Sequence, residues 1–427
     1  MAVGLIVGLL LQEFTQADYL VTNANKGGHD VVLEVLNPNS ERGVWLAPFV
    51  MLSQIFMSLL KMLIVPLVLS SIVTGVASIS GGKEFGRLGF KTLAYYMTTS
   101  LFAIFTGLLM INIFQPGTGA ALNLRLPDNF EPGAGSSFVD IFLRMIPQNV
   151  FAALSDNSAM LQIIVFALLF GYFIGQTSNS HGERMKSFFE SFFQVMMSLA
   201  GGILKLIPYG VFVLVVKVVG ETGLETFKPL LFYMSIVALA LLFHACVVLP
   251  LLLKLIGGVS PVAWFRAMMP ALVTAFSTSS SSMTLPVTME SVESRGGVSN
   301  KHSSFVLPLG STVNMDGTAL YECVGVIFLS QYYASVGDFD LTLSKQVFIV
   351  ITALLASVGA AGIPSAGLIM MTAILTALGL PIEGAMLLLA IDRPLDMLRT
   401  LVNVWSDSCG AALVAKSEGD AILSSHD

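Results

Sequence analysis

The stretch "DRPLDMLRTLVNVWSD", residues 392–407, follows the apolar run "AMLLLAI" and sets Asp392, Arg393, Asp396, Arg399 and Asp407 inside what reads as a membrane-spanning helix. At 100° per residue, Asp392, Asp396, Arg399, Thr400, Asn403 and Asp407 fall within a sector of about 100°. Leu395, Met397, Leu398, Leu401, Val402 and Trp405 take the opposite face, free to meet lipid or to pack. Each intramembrane charge costs at least about 2.5–3.5 kcal/mol on insertion scales, and such residues usually mark a substrate or ion path. Salt bridges and helix–helix glue are the plainer alternative, but a whole face of polar groups exceeds what glue requires.

The chemistry of that face is specific. The planar guanidinium of Arg399 pairs bidentately with a carboxylate, so it points to an anionic ligand group. Asp396, one turn earlier, suits an ammonium. Thr400 and Asn403 can bond a main-chain carboxylate or amine. Together they describe an amino acid with an acidic side chain.

The rest of the chain supports a membrane setting. Of 427 residues, 55% are hydrophobic and 11% charged, and the mean hydropathy is +0.82. A soluble domain carries about 25% charged residues, and a span needs about 20 apolar ones. The length therefore reads as roughly eight to ten membrane segments rather than two or three soluble domains. The net charge of −6 says little, because orientation is set by where the few Lys and Arg fall, and nothing in the sequence resembles a basic nucleic-acid patch. The three cysteines, Cys246, Cys323 and Cys409, and the five histidines lie scattered, so the cysteines read as buried apolar residues and no metal cluster or covalent cofactor is expected.

The N-terminal "MAVGLIVGLLLQEF" lacks a basic leader region and reads as a first helix with a short start, within a span over about 2–24, before the polar loop "NANKGGHD". Further apolar segments fall at 46–79, 88–113, 158–176, 187–219 and 229–256, with an amphipathic piece near 137–153. Lys83, Arg87 and Lys91, then Arg184 and Lys186, then Lys254 and Arg266 follow alternate spans. The positive-inside rule puts those loops, and both termini, in the cytoplasm.

Beyond residue 256 the pattern breaks twice. "AMMPALVTAFSTSSSSMTLPVTMESV" is interrupted at Ser277–Ser282, and "QVFIVITALLASVGAAGIPSAGLIMMTAILTAL" at Gly359–Gly367. Each half is too short to cross about 30 Å at 1.5 Å per residue. Either segment alone could be one kinked helix; two in corresponding places favour a pair of re-entrant hairpins. Each is followed by a span, so hairpin plus helix reads as an inverted repeat, and such paired breaks point to a transporter's binding site.

A second constellation is "GSTVNMDGTALYE", residues 310–322. Asn314, Asp316 and Thr318 surround Gly317, with Gly310 one turn before Asn314. Hard cations such as Na⁺ take oxygen ligands, and a helix loosened at Gly would free carbonyls for them. With Asp407 this gives two carboxylates for cation sites, the alternative being a merely kinked helix. Glu322 is a candidate proton carrier, with a plain interhelical hydrogen bond as the other reading. In "YYMTTS", Tyr96, Thr99 and Ser100 share a face, where hydroxyl packing is the plainer explanation. The serine run reads as a hairpin tip whose N–H groups suit a ligand carboxylate, or as a linker.

These residues resemble the dicarboxylate/amino acid:cation symporters, the family of the excitatory amino acid transporters and their prokaryotic aspartate and glutamate homologues. "KMLIVPLVLSSIVTGV" and "IPYGVF" match, and the specific motifs are "SSSSMTLPVTM", "NMDGTALYE", "GAAGIPSAG" and "LDMLRTLVNVWSD". The resemblance implies an all-α polytopic fold of eight transmembrane helices plus two re-entrant helical hairpins, assembled as a homotrimer in the plasma (inner) membrane. Residues 1–86 and 116–227 would form the scaffold, from helices 1, 2, 4 and 5. Residues 87–115 and 228–427 would form a mobile transport domain: helices 3 and 6, hairpin 1 at about 260–296, helix 7 at about 301–333, hairpin 2 at about 345–378 and helix 8 at about 383–417.

It also implies roles. Arg399 would hold the substrate's side-chain carboxylate and Asp396 its amino group. Thr400, Asn403, Ser280 and Ser281 would hold the α-carboxylate, with Thr318 and Gly367 near the side chain and Ile363 also in the substrate site. Sodium would use three sets: Gly310, Asn314, Asn403 and Asp407; Tyr96, Thr99, Ser100, Asn314 and Asp316; and Thr312 with the carbonyls of Ser357, Val358 and Ala360. Glu322 matches a position linked to proton and potassium coupling in the animal proteins. Two positions depart from the family: Ser279 stands where the archaeal type has Arg, and Met397 where the animal type has Arg. The function implied is Na⁺-driven uptake of aspartate or glutamate; a C4-dicarboxylate symporter, which would have no use for Asp396, is the alternative.

Overall fold

The apolar runs become helices, and prolines and capping serines set where they end. The structure, a computed structural model, describes residues 2–26, 29–79, 83–120, 122, 124, 146–156, 159–177, 180–222, 227–336, 339–359, 366–381 and 383–422. The N-terminal helix α1 (Ala2–Phe14) stops well short of residue 24. It is followed by strands β1 (Tyr19–Lys26) and β2 (His29–Leu36), paired antiparallel from Tyr19–Leu36 to Lys26–His29. The chain is mostly helical, as expected; the first span is shorter than expected, because a β-ribbon takes the place of its end and of the loop. The signal was in the sequence, since β-branched residues alternate with polar ones in "YLVTNANK" and "HDVVLEVL" around Gly-Gly, the composition of a two-residue hairpin loop.

Long helices α2 (Glu41–Ile79) and α3 (Lys83–Phe114) come next. After the short α4 (Val150–Leu154), α5 runs over Met160–Gln176. Most of the expected amphipathic piece near 137–153 lies outside the described residues. The apolar run at 187–219 is two helices, α6 (Ser180–Leu204) and α7 (Ile207–Thr222), bent by 53°. Pro208 sits in the first turn of α7, where its missing N–H costs no helical bond and its fixed φ suits a helix start. Helix α8 (Phe227–Phe243) passes through a π-helical turn, His244–Val248, into α9 (Leu249–Gly257). Among the described residues, Arg87–Phe114 and Phe227–Gly257 are each long and apolar enough to cross a membrane unaided.

In the C-terminal part, α10 (Pro261–Thr278) ends on Ser279, whose φ of +53° is left-handed. Ser280 then caps α11 (Ser281–Glu290) by accepting a hydrogen bond from Met283 N. The two helices pack on each other, and the break falls inside the expected serine run. The next span is also interrupted: α12 (Asn300–Val313) and α13 (Asp316–Val336) are separated by Asn314 and Met315. Helices α14 (Leu343–Gly359) and α15 (Ala366–Ala377) pack together, with residues 360–365 between them outside the described set. The last helix, α16 (Glu383–Ser417), spans 35 residues and contacts α8 and α10–α13.

Two apolar cores result. The larger joins α2, α5–α8 and α13–α15, and includes Val402. The second joins α9, α10, α12 and the C-terminal half of α16 around Trp264 and Trp405. The apolar face of α16 is thus packed rather than bare: Leu395, Val402 and Trp405 are all buried. Of the cysteines, Cys323 and Cys409 are buried, but Cys246 is exposed on the π-helical turn, contrary to expectation.

The chain beyond α16 closes the same end of the molecule. Glu418 pairs with Lys91 (2.6 Å) and with Arg87 of α3. Asp420 accepts Ser299 N at 2.8 Å and meets His302 Nδ1 at 2.8 Å. Hydrogen bonds from Lys91, and then Arg87, hold the Glu418 carboxyl below the ordinary range. For Asp420, partial burial pushes upward, but bonds from His302 and Ser299 outweigh it and lower it too. Depressed carboxyl pKa values stabilise the fold above the unfolded value of about 4, and that contribution is lost as pH falls through the folded values. The Glu418→Gln/Asp420→Asn double variant is therefore expected to melt below wild type at pH 7, with the gap closing below about pH 4. Thermal melts of purified protein across pH check this; a gap constant with pH would refute it.

Candidate functional site

Helix α16 carries its polar stripe into the interior, where other elements meet it. Arg399 is 1% exposed. Its Nη2 donates to Asp396 Oδ1 at 2.7 Å and Asp392 Oδ1 at 3.1 Å, both on its own helix. Its guanidinium carbon lies 3.9 Å from the centre of the Tyr321 ring on α13. A desolvated cation–π contact is worth about 2 kcal/mol or more. Nε and Nη1 have no hydrogen-bond partner among the described residues. Leaving such donors buried and unpaired costs about 1–3 kcal/mol each, more for a charged group.

Gly367 opens the first turn of α15 directly beside these donors. A Cβ there would lie 2.4 Å from Arg399 Nη1 and 3.0 Å from Thr318 Cγ2. Asn403 stands one turn beyond Arg399 and is fully engaged: its Oδ1 accepts Gly317 N at 2.8 Å and its Nδ2 donates to Thr318 Oγ1 at 3.2 Å. Thr400 is buried next to it. Ser280 and Ser281 are buried at the start of α11, which packs against α16.

A second cluster lies further along α16, around the α12–α13 break. Asn314 Nδ2 donates to Asp407 Oδ1 at 2.9 Å and Ser406 Oγ at 3.0 Å, while its own Oδ1 is buried without a partner among the described residues. Asp316 Oδ1 accepts from Ser100 Oγ at 2.7 Å. Asp316 Oδ2 accepts from Ser406 Oγ at 2.7 Å and meets His244 Nε2 at 3.1 Å. Tyr96 OH donates to Val306 O at 2.8 Å, and a Cβ on Gly310 would fall 2.6 Å from both that hydroxyl and Asp407 Oδ1. Two carboxylates, an unpaired amide oxygen and several hydroxyls thus converge from α3, α12, α13 and α16.

Other expected residues are less engaged. Thr99 Oγ1 bonds the carbonyls of Tyr95 and Tyr96 on its own helix, both at 3.2 Å. Thr312 Oγ1 bonds Leu309 O at 3.1 Å, and Ser357 Oγ bonds Leu354 O at 2.9 Å. Val358 sits in the second core with Val313, so α12 and the end of α14 are neighbours. Ala360 and Ile363 lie outside the described residues. Glu322 is fully buried, and neither carboxyl oxygen has a hydrogen-bond partner among the described residues.

Residues 1–417 match the Sodium:dicarboxylate symporter family. The chain belongs to that family. It is an integral membrane transporter, not an enzyme. It is 35% identical over 412 residues to a "Putative sodium-dependent excitatory amino acid transporter glt-4" of Caenorhabditis elegans, covering 85% of this chain and 81% of the relative. Against a "Proton/sodium-glutamate symport protein" of Geobacillus stearothermophilus it is 34% identical over 396 residues, 91% of each. "Excitatory amino acid transporter 3" of Homo sapiens is 33% identical over 414 residues, 85% of this chain and 78% of the relative.

The transporter's sequence also held signals that a search for motifs passes over. His244 is a lone histidine in "LLFHACVV", dismissed as scattered, yet its π-helical turn brings it onto Asp316. Ser406 sits in the polar sector of α16 and bridges Asp316 and Asn314. Nor is the α12–α13 helix loosened at Gly317, as expected: the break is at Asn314 and Met315, and Gly317 is helical. Its missing side chain lets α13 approach α16, since a Cβ there would lie 2.6 Å from Arg399 O. Gly317→Ala is accordingly expected to destabilise the protein by about 1–3 kcal/mol through overpacking. A melting temperature equal to wild type would show that the two helices can part without cost.

Proposed function

We propose that this transporter takes up acidic amino acids, aspartate or glutamate, driven by the Na⁺ gradient. The observation that carries the reading is Arg399: a buried guanidinium with two free donor nitrogens, oriented by Tyr321 and two carboxylates. The donors of a guanidinium are planar and suited to a carboxylate, and Nη1, beside Gly367, is the terminal nitrogen left open to one. Asp396, one turn before Arg399 on the same helix, provides the negative group for the ligand's ammonium. Asn403, Thr400 and the serine tip at Ser280–Ser281 would hold the α-carboxylate, with Thr318 and Gly367 near the ligand's side chain. The glutamate transport named in its bacterial relatives agrees with this ligand.

Sodium is the coupling substrate. Asn314, Asp316 and Asp407, with Tyr96, Ser100 and the Gly310 backbone, supply the oxygen-rich environment that a hard cation needs, and the unpaired Asn314 Oδ1 is a ready ligand. Proton or K⁺ coupling would run through Glu322, next in sequence to the Tyr321 ring under Arg399. The α10–α11 and α14–α15 pairs would be re-entrant hairpins of an inverted repeat in an eight-span homotrimer, embedded in the plasma membrane with cytoplasmic termini. The domain containing the site would move elevator-fashion against a scaffold of helices 1, 2, 4 and 5. A C4-dicarboxylate ligand is the second reading, favoured by the same Arg399 guanidinium and opposed by Asp396.

Purified protein in liposomes with an inward Na⁺ gradient is expected to accumulate labelled aspartate or glutamate, but not serine. Accumulation of succinate without aspartate would overturn the assignment in favour of the dicarboxylate. Arg399→Gln removes the buried cation that Asp392 and Asp396 share and is expected to cut uptake of acidic amino acids about 30-fold or more, as truncating a buried charge pair costs about 2–5 kcal/mol. Glu322→Gln tests the coupling separately. Transport currents that respond to pH or internal K⁺ in wild type should lose that response in the variant; indifference in both would exclude the role.

A further inference from the structure

Arg393, a charge of the 392–407 stretch that lies beside the polar stripe, has no part in the ligand reading above. Arg393 sits one residue after Asp392, at the exposed edge of the cluster, and its side chain is 50% exposed. Its Nη1 lies 3.7 Å from Asp396 Oδ2. Asp396 Oδ1 is held at 2.7 Å by Arg399. The two oxygens of Asp396 therefore face two different cations, one buried and fixed, the other half exposed and long-range.

That asymmetry assigns the oxygens different fates. Arg399 is locked by Asp392, Asp396 and the Tyr321 ring, so its bond to Oδ1 persists when its free nitrogens take a carboxylate. Arg393 has a loose contact, a half-exposed side chain and the flexibility of a long stem, so it can withdraw from Oδ2. Pro394, inside the helix, removes the N–H that would bond the carbonyl one turn back, and so loosens the backbone at this point.

We propose that Arg393 is an exchangeable counter-ion for Asp396, and that it sets the preference of the site between acidic ligands with and without an ammonium group. The inference rests on the proposed reading of Asp396 as the ammonium partner. With an amino acid bound, the ligand ammonium replaces Arg393 at Oδ2. With a dicarboxylate bound, Arg393 stays and adds to Arg399 in offsetting the Asp396 charge, which would otherwise repel the ligand more strongly. Removing Arg393 thus strengthens the pull on an ammonium and worsens the site for a ligand that has none.

The test measures competition in proteoliposomes, using the ratio of half-saturating concentrations for succinate and aspartate under one Na⁺ gradient. A ratio is independent of how much protein is reconstituted. A half-exposed ion pair contributes up to about 1 kcal/mol, which is about fivefold. Arg393→Gln and Arg393→Ser, two neutral residues of different size, are both expected to raise the succinate-to-aspartate ratio about fivefold. Arg393→Lys, which keeps the charge, should stay within twofold of wild type. An unchanged or lowered ratio in the neutral variants overturns the proposal. Wild type that handles succinate but not aspartate would instead refute the reading of Asp396 itself, so the two failures are distinct.

Discussion

Everything in the C-terminal half follows from one requirement: the charges on α16 must be answered inside an apolar protein. A charge at depth is tolerated only when paired and hydrogen-bonded. Two of the answers lie on the helix itself, since Asp392 and Asp396 flank Arg399 at 3.1 and 2.7 Å. The others come from outside, and they dictate how close the neighbours must approach. Gly317 brings α13 to the backbone of Arg399, Gly310 leaves room for Asp407 and Tyr96, and Gly367 brings α15 to the guanidinium. These three glycines are absent side chains at the three places where polar groups of α16 need a partner within reach.

The break between α12 and α13 belongs to the same constraint. A continuous helix would satisfy its own amides and have nothing to offer Asn403. Interrupting it at Asn314 and Met315 starts a new helix at Asp316, whose first N–H groups lack helical partners. Gly317 N, one of them, is the group that Asn403 Oδ1 accepts at 2.8 Å. Asn314, in the break, has a side chain free to reach Asp407 and Ser406. Interrupted helices at membrane depth are admissible only where protein or a polar cavity surrounds them, and here the surroundings are the polar face of α16.

Much of this was legible because helical periodicity is unambiguous over sixteen residues of α16, and because charge inside an apolar run is rare enough to carry meaning. The positions of the α10–α11 and α14–α15 breaks could be read from clustered Ser, Gly and Pro. The β-ribbon at 19–36 was misread because apolar character outweighed alternation over two short strands. Gly317 was taken for a flexible point because a sequence does not tell backbone freedom from close packing; only the position of Arg399 O decides between them. His244 and the paired Ser406 escaped for a related reason. Their meaning depends on a partner seventy or more residues away, and a π-helical turn shifts the register that a regular helix would predict.

The two clusters are physically joined. Asp316 and Gly317 are consecutive, one facing Ser100, Ser406 and His244, the other bound to Asn403 and packed on Arg399. Asn403 and Ser406 are likewise one turn apart on α16 and reach α13 from either side of that junction. Under the proposed function, a cation that draws Asp316 or Asn314 toward itself would move the very backbone that positions Thr318, Asn403 and the Arg399 guanidinium. Linkage makes such coupling reciprocal: an acidic ligand that orders the guanidinium must tighten the cation site by the same factor. Ion-driven uptake requires this energetic tie, and a break of two residues shared by both clusters is the shortest route by which one helix could provide it.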